Sequence, residues 1–253
     1  MPVDRKLFTQ SFGTTRLPNW KCPLCAGGHL RLVPGSFVHS NDGHTEQNKG
    51  EDWFDYDDFR FVFTALARCD NDECREAAKV AGEGSLFEDP DLEQHRMEYS
   101  ELFAPNYVSP SPPLIAVPCE CPEKVVDQVR KANVAQWGDY DAALMHLRIA
   151  VERLLDAQNV VSARTTPKGR TYLSLHDRIE LLRAHRPTEA DALLAAKWLG
   201  NAGAHNEEVT RSDVFDMYDI LEKVLDLLYG NASALERLIS SINTAKGPAR
   251  PQR

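Results

Sequence analysis

Two pairs of cysteines carry the most specific chemistry in the sequence. Trp20-Lys21-Cys22-Pro23-Leu24-Cys25 is a C-x2-C turn, and Cys69-Asp70-Asn71-Asp72-Glu73-Cys74 is a C-x4-C turn. Thiolates presented by two such tight turns complete a tetrahedral Zn²⁺ shell. Four sulfur ligands leave no open position, so the expected centre is structural rather than catalytic. Four reduced thiols without metal are the alternative, and the paired spacings favour the metal. His29, His39 and His44 are further ligand types in the same half, with surface histidines the plainer reading. Cys119 and Cys121 stand one residue apart, too close for an ordinary disulfide, and read as free thiols.

A second cluster lies in Lys197-Trp198-Leu199-Gly200-Asn201-Ala202-Gly203-Ala204-His205. On a continuous helix Lys197, Asn201 and His205 recur every four residues and share one face. A cation, an amide and an imidazole placed this way can hold a phosphate and move a proton near neutral pH. The competing reading is a helix C-terminus. There Gly and Asn end the helix, and His205 settles near the carbonyl end of its dipole.

The elements that must position these groups differ between the halves. The first half shows one alternating run, Phe59-Arg60-Phe61-Val62-Phe63, which predicts a strand leading to Cys69, as in a zinc ribbon. An acidic stretch from Glu83 to Glu101 follows, and Pro110, Pro112 and Pro113 forbid regular structure after it. The boundary is therefore expected near residue 115. The second half reads as helices. One opens near Pro122, and one runs from about Asp139 to Gln158 with a stripe of Leu144, Leu147, Val151, Leu154 and Leu155. A loop carrying Arg164, Lys168 and Arg170 separates these from a helix capped by Ser174 and Asp177. Capping signatures at Thr188/Asp191 and at Ser212 open two more. A short helix is expected over Ala232 to Ile242. The resulting expectation is an α+β chain with three parts: a small zinc-ribbon-like β domain with an acidic, Pro-rich linker over 1–115, an all-α bundle over 116–245, and a disordered tail over 246–253.

Composition narrows the function. The 253 residues carry 29 Lys/Arg against 38 Asp/Glu, a net charge of -9. That excludes a broadly basic nucleic-acid coat. Residues 1–115 hold 11 Lys/Arg and 19 Asp/Glu, which argues against duplex-DNA binding by the cysteine-bearing half. No apolar run approaches the roughly 18 residues of a membrane helix, and the charged start is unlike a signal peptide. A soluble, cytoplasmic protein without membrane attachment is expected. Zinc would supply folding free energy to a half with little apolar content.

The segment KWLGNAGAH, the helices ALMHLRIAVERLL and SLHDRIELL, and the turns WKCPLC and CDNDEC together resemble a helical family known as the domain of unknown function numbered four-one-four-five. That family is similar to the HEPN superfamily of helical bundles, found alone and in type I restriction endonuclease subunits in bacterial defence settings. The resemblance implies a HEPN-like bundle behind a zinc ribbon, dimeric, with RNA as ligand or substrate. It assigns a site to His205, Asn201, Lys197, Arg148 and Glu152. The nuclease pattern places an Arg where this chain has Gly200, so the phosphate-holding cation falls to Lys197 or Arg148. Lys lacks the planar fork of Arg. Two functions follow: a metal-independent ribonuclease or RNA-binding module, or a non-catalytic adaptor docking onto a defence or restriction partner. On the second, Arg148–Glu152 is an i,i+4 ion pair and Asn201 a cap.

Overall fold

Residues that alternate between water and a core dictate the first half. The computed structural model describes residues 3–25, 27–91, 96–167, 169–202, 208–230 and 242–244, and of residues 89–91, 96, 97, 166, 201 and 202 the backbone alone. The chain forms two compact units. One comprises Asp4–Leu114 and Asn133–Ala143; the other comprises Met1–Val3, Ile115–Ala132 and Leu144–Arg253.

The first unit opens with a short helix, α1 (Arg5–Thr9), which is followed by β1 (Leu30–Leu32), β2 (Val38–Asn41) and a second short helix, α2 (Gly43–Asn48). The spine of its sheet is β3 (Arg60–Cys69), where every second side chain from Phe61 to Cys69 is buried. This is the strand that the Phe59–Phe63 alternation predicts, extended to the second cysteine turn. It pairs antiparallel along one edge with β4 (Ala77–Asp91), and along the other with β1 and β2. β4 pairs in turn with β5 (Arg96–Ser109).

The acidic stretch Glu83–Glu101 is therefore not a linker but runs through the β4–β5 hairpin. The carboxylates of Glu83, Glu88 and Glu98 are exposed on this antiparallel pair, which costs the ladder nothing but makes the sequence look like a solvated connector. Gly84 marks the fit: a Cβ there would lie 2.5 Å from a ring carbon of Phe103, so its absence seats that fully buried ring. Regular pairing stops at Ser109, just before Pro110, as the proline run requires.

The core of this unit is aromatic. Trp20 contacts Phe12 at 6.0 Å and Trp137 at 5.2 Å between ring centroids, both edge-on, the geometry that ring quadrupoles favour. Phe103 gathers Phe37, Phe61 and Phe63. The indole N–H of Trp20 donates to the Leu7 carbonyl, and that of Trp137 to the Ser111 hydroxyl. Trp137 comes from the turn joining α3 (Glu123–Ala135) and α4 (Tyr140–Ala157), and that turn belongs to the sheet unit.

The second unit packs the rest of those helices with α5 (Leu175–Arg183), α6 (Pro187–Ala202) and α7 (Arg211–Tyr229). Between α4 and α5 lie β6 (Ala163–Thr166) and β7 (Gly169–Tyr172), so this half is not all-α as expected. The supposed loop is an antiparallel two-stranded ribbon. Threonines flanking a Pro-Lys-Gly turn favour strands, and Gly169 takes a positive φ of 116° at the turn. Leu147, Leu154, Leu155, Ile179, Leu193, Phe215 and Leu221 are buried.

Ser174 and Asp177 form the expected capping box of α5. Two other starts shift. α6 begins at Pro187, a residue preorganised for the first helical position, so Thr188 lies inside the helix. α7 is capped by Thr210 with Asp213, which places Ser212 in the first turn. Gly230 follows its end, as expected. The helix expected over Ala232–Ile242 lies almost wholly outside the described residues, and the tail 246–253 lies entirely outside them. No helix among the described residues is long and apolar enough to cross a membrane.

Arg178 ties α5 to the end of α4. Its guanidinium is buried and donates to Asp156 Oδ1 at 2.7 Å and to the Val160 carbonyl at 3.0 Å. Arg178→Ala leaves that carbonyl without its donor and is expected to cost about 1–3 kcal/mol. Urea unfolding followed by circular dichroism reads this out, with the midpoint falling and the slope unchanged.

Candidate functional site

The two cysteine turns meet because β1 and β3 pair with Leu30 opposite Cys69. The first turn is closed by the Cys22 N–H donating to the Gly28 carbonyl and the Leu30 N–H donating to the Trp20 carbonyl. The second is closed by the Cys69 N–H donating to the Glu76 carbonyl, with Arg75 turning the chain at φ 53°. Asp70 laces the turns together. Its carboxylate accepts from the His29 N–H at 2.7 Å and from Arg31 Nε at 3.0 Å, and these donors hold its pKa below the usual carboxylate range.

All four ligand sulfurs lie within 4.8 Å of one another, with Cys22–Cys74 and Cys25–Cys69 both at 3.7 Å. That is far beyond a disulfide bond, and the cysteines are free. It matches the edge of a sulfur tetrahedron around a metal with bonds of about 2.3 Å, for which edges are about 3.8 Å. The Leu24 N–H points at Cys22 Sγ (3.4 Å) and the Asn71 N–H at Cys69 Sγ (3.5 Å). Donors aimed at sulfur favour the thiolate that a metal needs. The backbone N–H of Gly28 lowers Cys25 to about 6, whereas burial pushes Cys69 up to about 12. A cation among the four sulfurs offsets that burial cost. The site can hold a metal ion and leaves no open position for chemistry on it.

Gly28 is the residue here that spacing alone does not reveal. A Cβ at this position would lie 2.5 Å from Cys69 Sγ, so only glycine lets the first turn close over the second. The three histidines are placed elsewhere. His39 lies against the rings of Phe37, Phe61 and Phe103, with Nε2 at 3.5 Å from Glu101. His44 packs beside Trp53 and Phe54, and His29 contributes its backbone rather than its ring to the cysteine turns. Cys119 is exposed and donates to Glu120, while burial pushes the Cys121 thiol up to about 11.

In the helical unit α6 continues through Gly200 to Ala202, so Lys197 and Asn201 sit one turn apart on one face of a helix. Lys197 Nζ lies 3.5 Å from the ring centroid of Trp198, a cation held over an indole that is 61% exposed. Arg148 comes alongside from α4. A Cβ on Gly200 would lie 3.5 Å from Arg148 Cβ and 3.9 Å from its Cδ, so the arginine stem runs past the bare backbone of Gly200. Arg148 Nε lies 3.8 Å from Glu152 Oε1. The structure thus brings Arg148 to Gly200 and pairs it with Glu152. The side chain of Asn201 and the whole of His205 lie outside the described residues.

Two substitutions separate the metal centre from mere proximity of thiols. Cys22→Ser removes one sulfur, and Gly28→Val forces a side chain into the position of Cys69 Sγ. Both are expected to drop metal content from about one ion per chain to near zero by elemental analysis, with collapse of the near-ultraviolet signal of Trp20. Metal-free wild type that keeps its fold and thermal midpoint would show that the sulfurs hold no metal.

No curated protein and no solved structure matches the chain. Two family models do. Residues 10–108, which carry both cysteine turns, match the family described as Domain of unknown function (DUF8608). Residues 130–245, which carry Arg148, Glu152, Lys197 and the segment after Gly200, match the family described as Domain of unknown function (DUF4145).

Proposed function

We propose that the helical unit is a HEPN-like module of a bacterial defence or restriction system that cleaves or binds RNA without a metal, behind a zinc-ribbon-like unit whose four cysteines hold a structural zinc ion. The observation that carries the reading is the packing of Arg148 beside Gly200. The nuclease pattern has an arginine at position 200. Glycine there removes that cation, and Arg148 from α4 runs past the same turn at van der Waals distance, where its guanidinium can take the missing role.

The division of labour follows from the groups. His205 takes the proton of a ribose 2′-hydroxyl as its oxygen attacks the adjacent phosphorus, or returns a proton to the departing 5′-oxygen. Arg148 balances charge on the phosphate, and its fork suits two phosphate oxygens better than Lys197 does. Glu152 holds Arg148 in place, and Asn201 orients substrate or imidazole. The adaptor reading is favoured by one feature. Arg148 and Glu152 also make an ordinary i,i+4 helix pair, which needs no substrate to explain it.

Wild type and His205→Ala incubated with total RNA and with tRNA, with EDTA added at the assay stage, separate the readings. Loss of an essential proton-transfer group lowers the rate about 10²–10⁴-fold, so the variant is expected to leave RNA intact where wild type cleaves it. Intact RNA with folded wild type favours the adaptor. Light scattering on the full chain is expected to give twice the monomer mass, and a monomer at high concentration would argue against a shared dimer site.

A further inference from the structure

The ribbon formed by β6 and β7 has no evident part in the core. Every residue of β7 is exposed, and an isolated two-stranded ribbon is marginal in water. Its composition departs from the rest of the chain. Residues 157–176 contain Arg164, Lys168 and Arg170 but no Asp or Glu, in a protein with 38 acidic residues. The register sorts its side chains. Ala163 opposes Tyr172 and Thr165 opposes Arg170, so these four share one face, while Arg164 and Thr171 share the other. Arg164 is exposed on that other face and lies near Asp177, whose carboxyl is held below its ordinary range chiefly by hydrogen bonds from Ser174, with the Arg164 charge a lesser contributor.

The first face carries Arg170 and Tyr172 side by side. The guanidinium carbon lies 5.5 Å from the tyrosine ring centroid, and the ring is 73% exposed. Among the described residues Arg170 has no carboxylate partner, whereas arginines such as Arg31, Arg130, Arg178 and Arg183 each have one. A cation beside a bare aromatic face is the arrangement that takes a phosphate and an unstacked base together. An acidic peptide would use the cation but leave the tyrosine idle.

We infer that the β6–β7 ribbon is a grip for single-stranded RNA, with Arg170 on a phosphate, Tyr172 stacked on a base and Thr165 beside them for the sugar. RNA rather than DNA rests on the reading proposed above; the grip itself rests on the ribbon.

The test is fluorescence anisotropy of a labelled, unstructured 20-nucleotide RNA against the full-length protein, with RNA integrity checked on a gel. Wild-type binding is expected to weaken with salt. Arg170→Ala should weaken it about tenfold and reduce the salt slope by about 0.7, one phosphate contact on a single strand. Tyr172→Ala should also weaken it about tenfold, with the slope unchanged, because stacking releases no counterion. Both positions are exposed, and unchanged circular dichroism verifies folding. No binding by wild type, or wild-type affinity in both variants, overturns the grip. Equal affinity for DNA of the same sequence or for duplex RNA overturns its assignment to single-stranded RNA. If the ribbon variants lose binding while wild type never cleaves, the nuclease reading fails and the grip stands. If they cleave as wild type does, with undiminished binding, the grip fails and the nuclease stands.

Discussion

Four sulfur atoms drawn from positions up to 52 residues apart must meet within a few ångströms, and the sheet unit is arranged around that requirement. The backbone ladder of β1 against β3 sets the register that makes them meet. The side chain of Asp70 and the bare backbone of Gly28 then fix the last fraction of an ångström. Each device acts at a different range. Strand pairing aligns, a carboxylate laces, and an absent Cβ permits contact. The aromatic cluster around Trp20, two residues before the first cysteine, means that the same turn serves both the sulfur site and the hydrophobic core.

The legibility of the fold followed the strength of periodic signals. β3 was readable because its apolar residues alternate without a break and end at a cysteine. The β4–β5 hairpin was not, because a solvated antiparallel ribbon places charges on exposed positions and glycines where a neighbouring ring intrudes, as Phe103 does at Gly84. Glu, Asp and Gly together then mimic a connector. Helices α3 to α7 could be placed from apolar stripes and caps, but their first residues depended on competition between adjacent candidates. Thr210 displaced Ser212 as cap because Asp213 lies three residues after it and completes a reciprocal pair.

The candidate sites show the same division. Cysteine spacing revealed the sulfur cluster in full, because two short turns leave few geometries. Gly28 was hidden, since a glycine announces freedom of the backbone but not which atom occupies the space beside it. In the helical unit, the position of Arg148 relative to Gly200 was invisible to spacing, because it depends on how two helices cross. The ribbon was missed because threonines and a single exposed tyrosine give no apolar alternation. What distinguishes it is charge: a stretch without acids in an acidic chain.

The placement of Trp137 bears on how such a protein can be divided. Its indole sits in the aromatic core beside Trp20 and Phe8, yet it is encoded beyond the proline segment, between the first two long helices. A gene split at residue 115 would leave the sheet fragment with a vacancy the size of a tryptophan, to be filled only by recapturing the missing piece from solution. A fragment meant to keep the aromatic core whole must therefore run on through Ala143 rather than stop at the prolines.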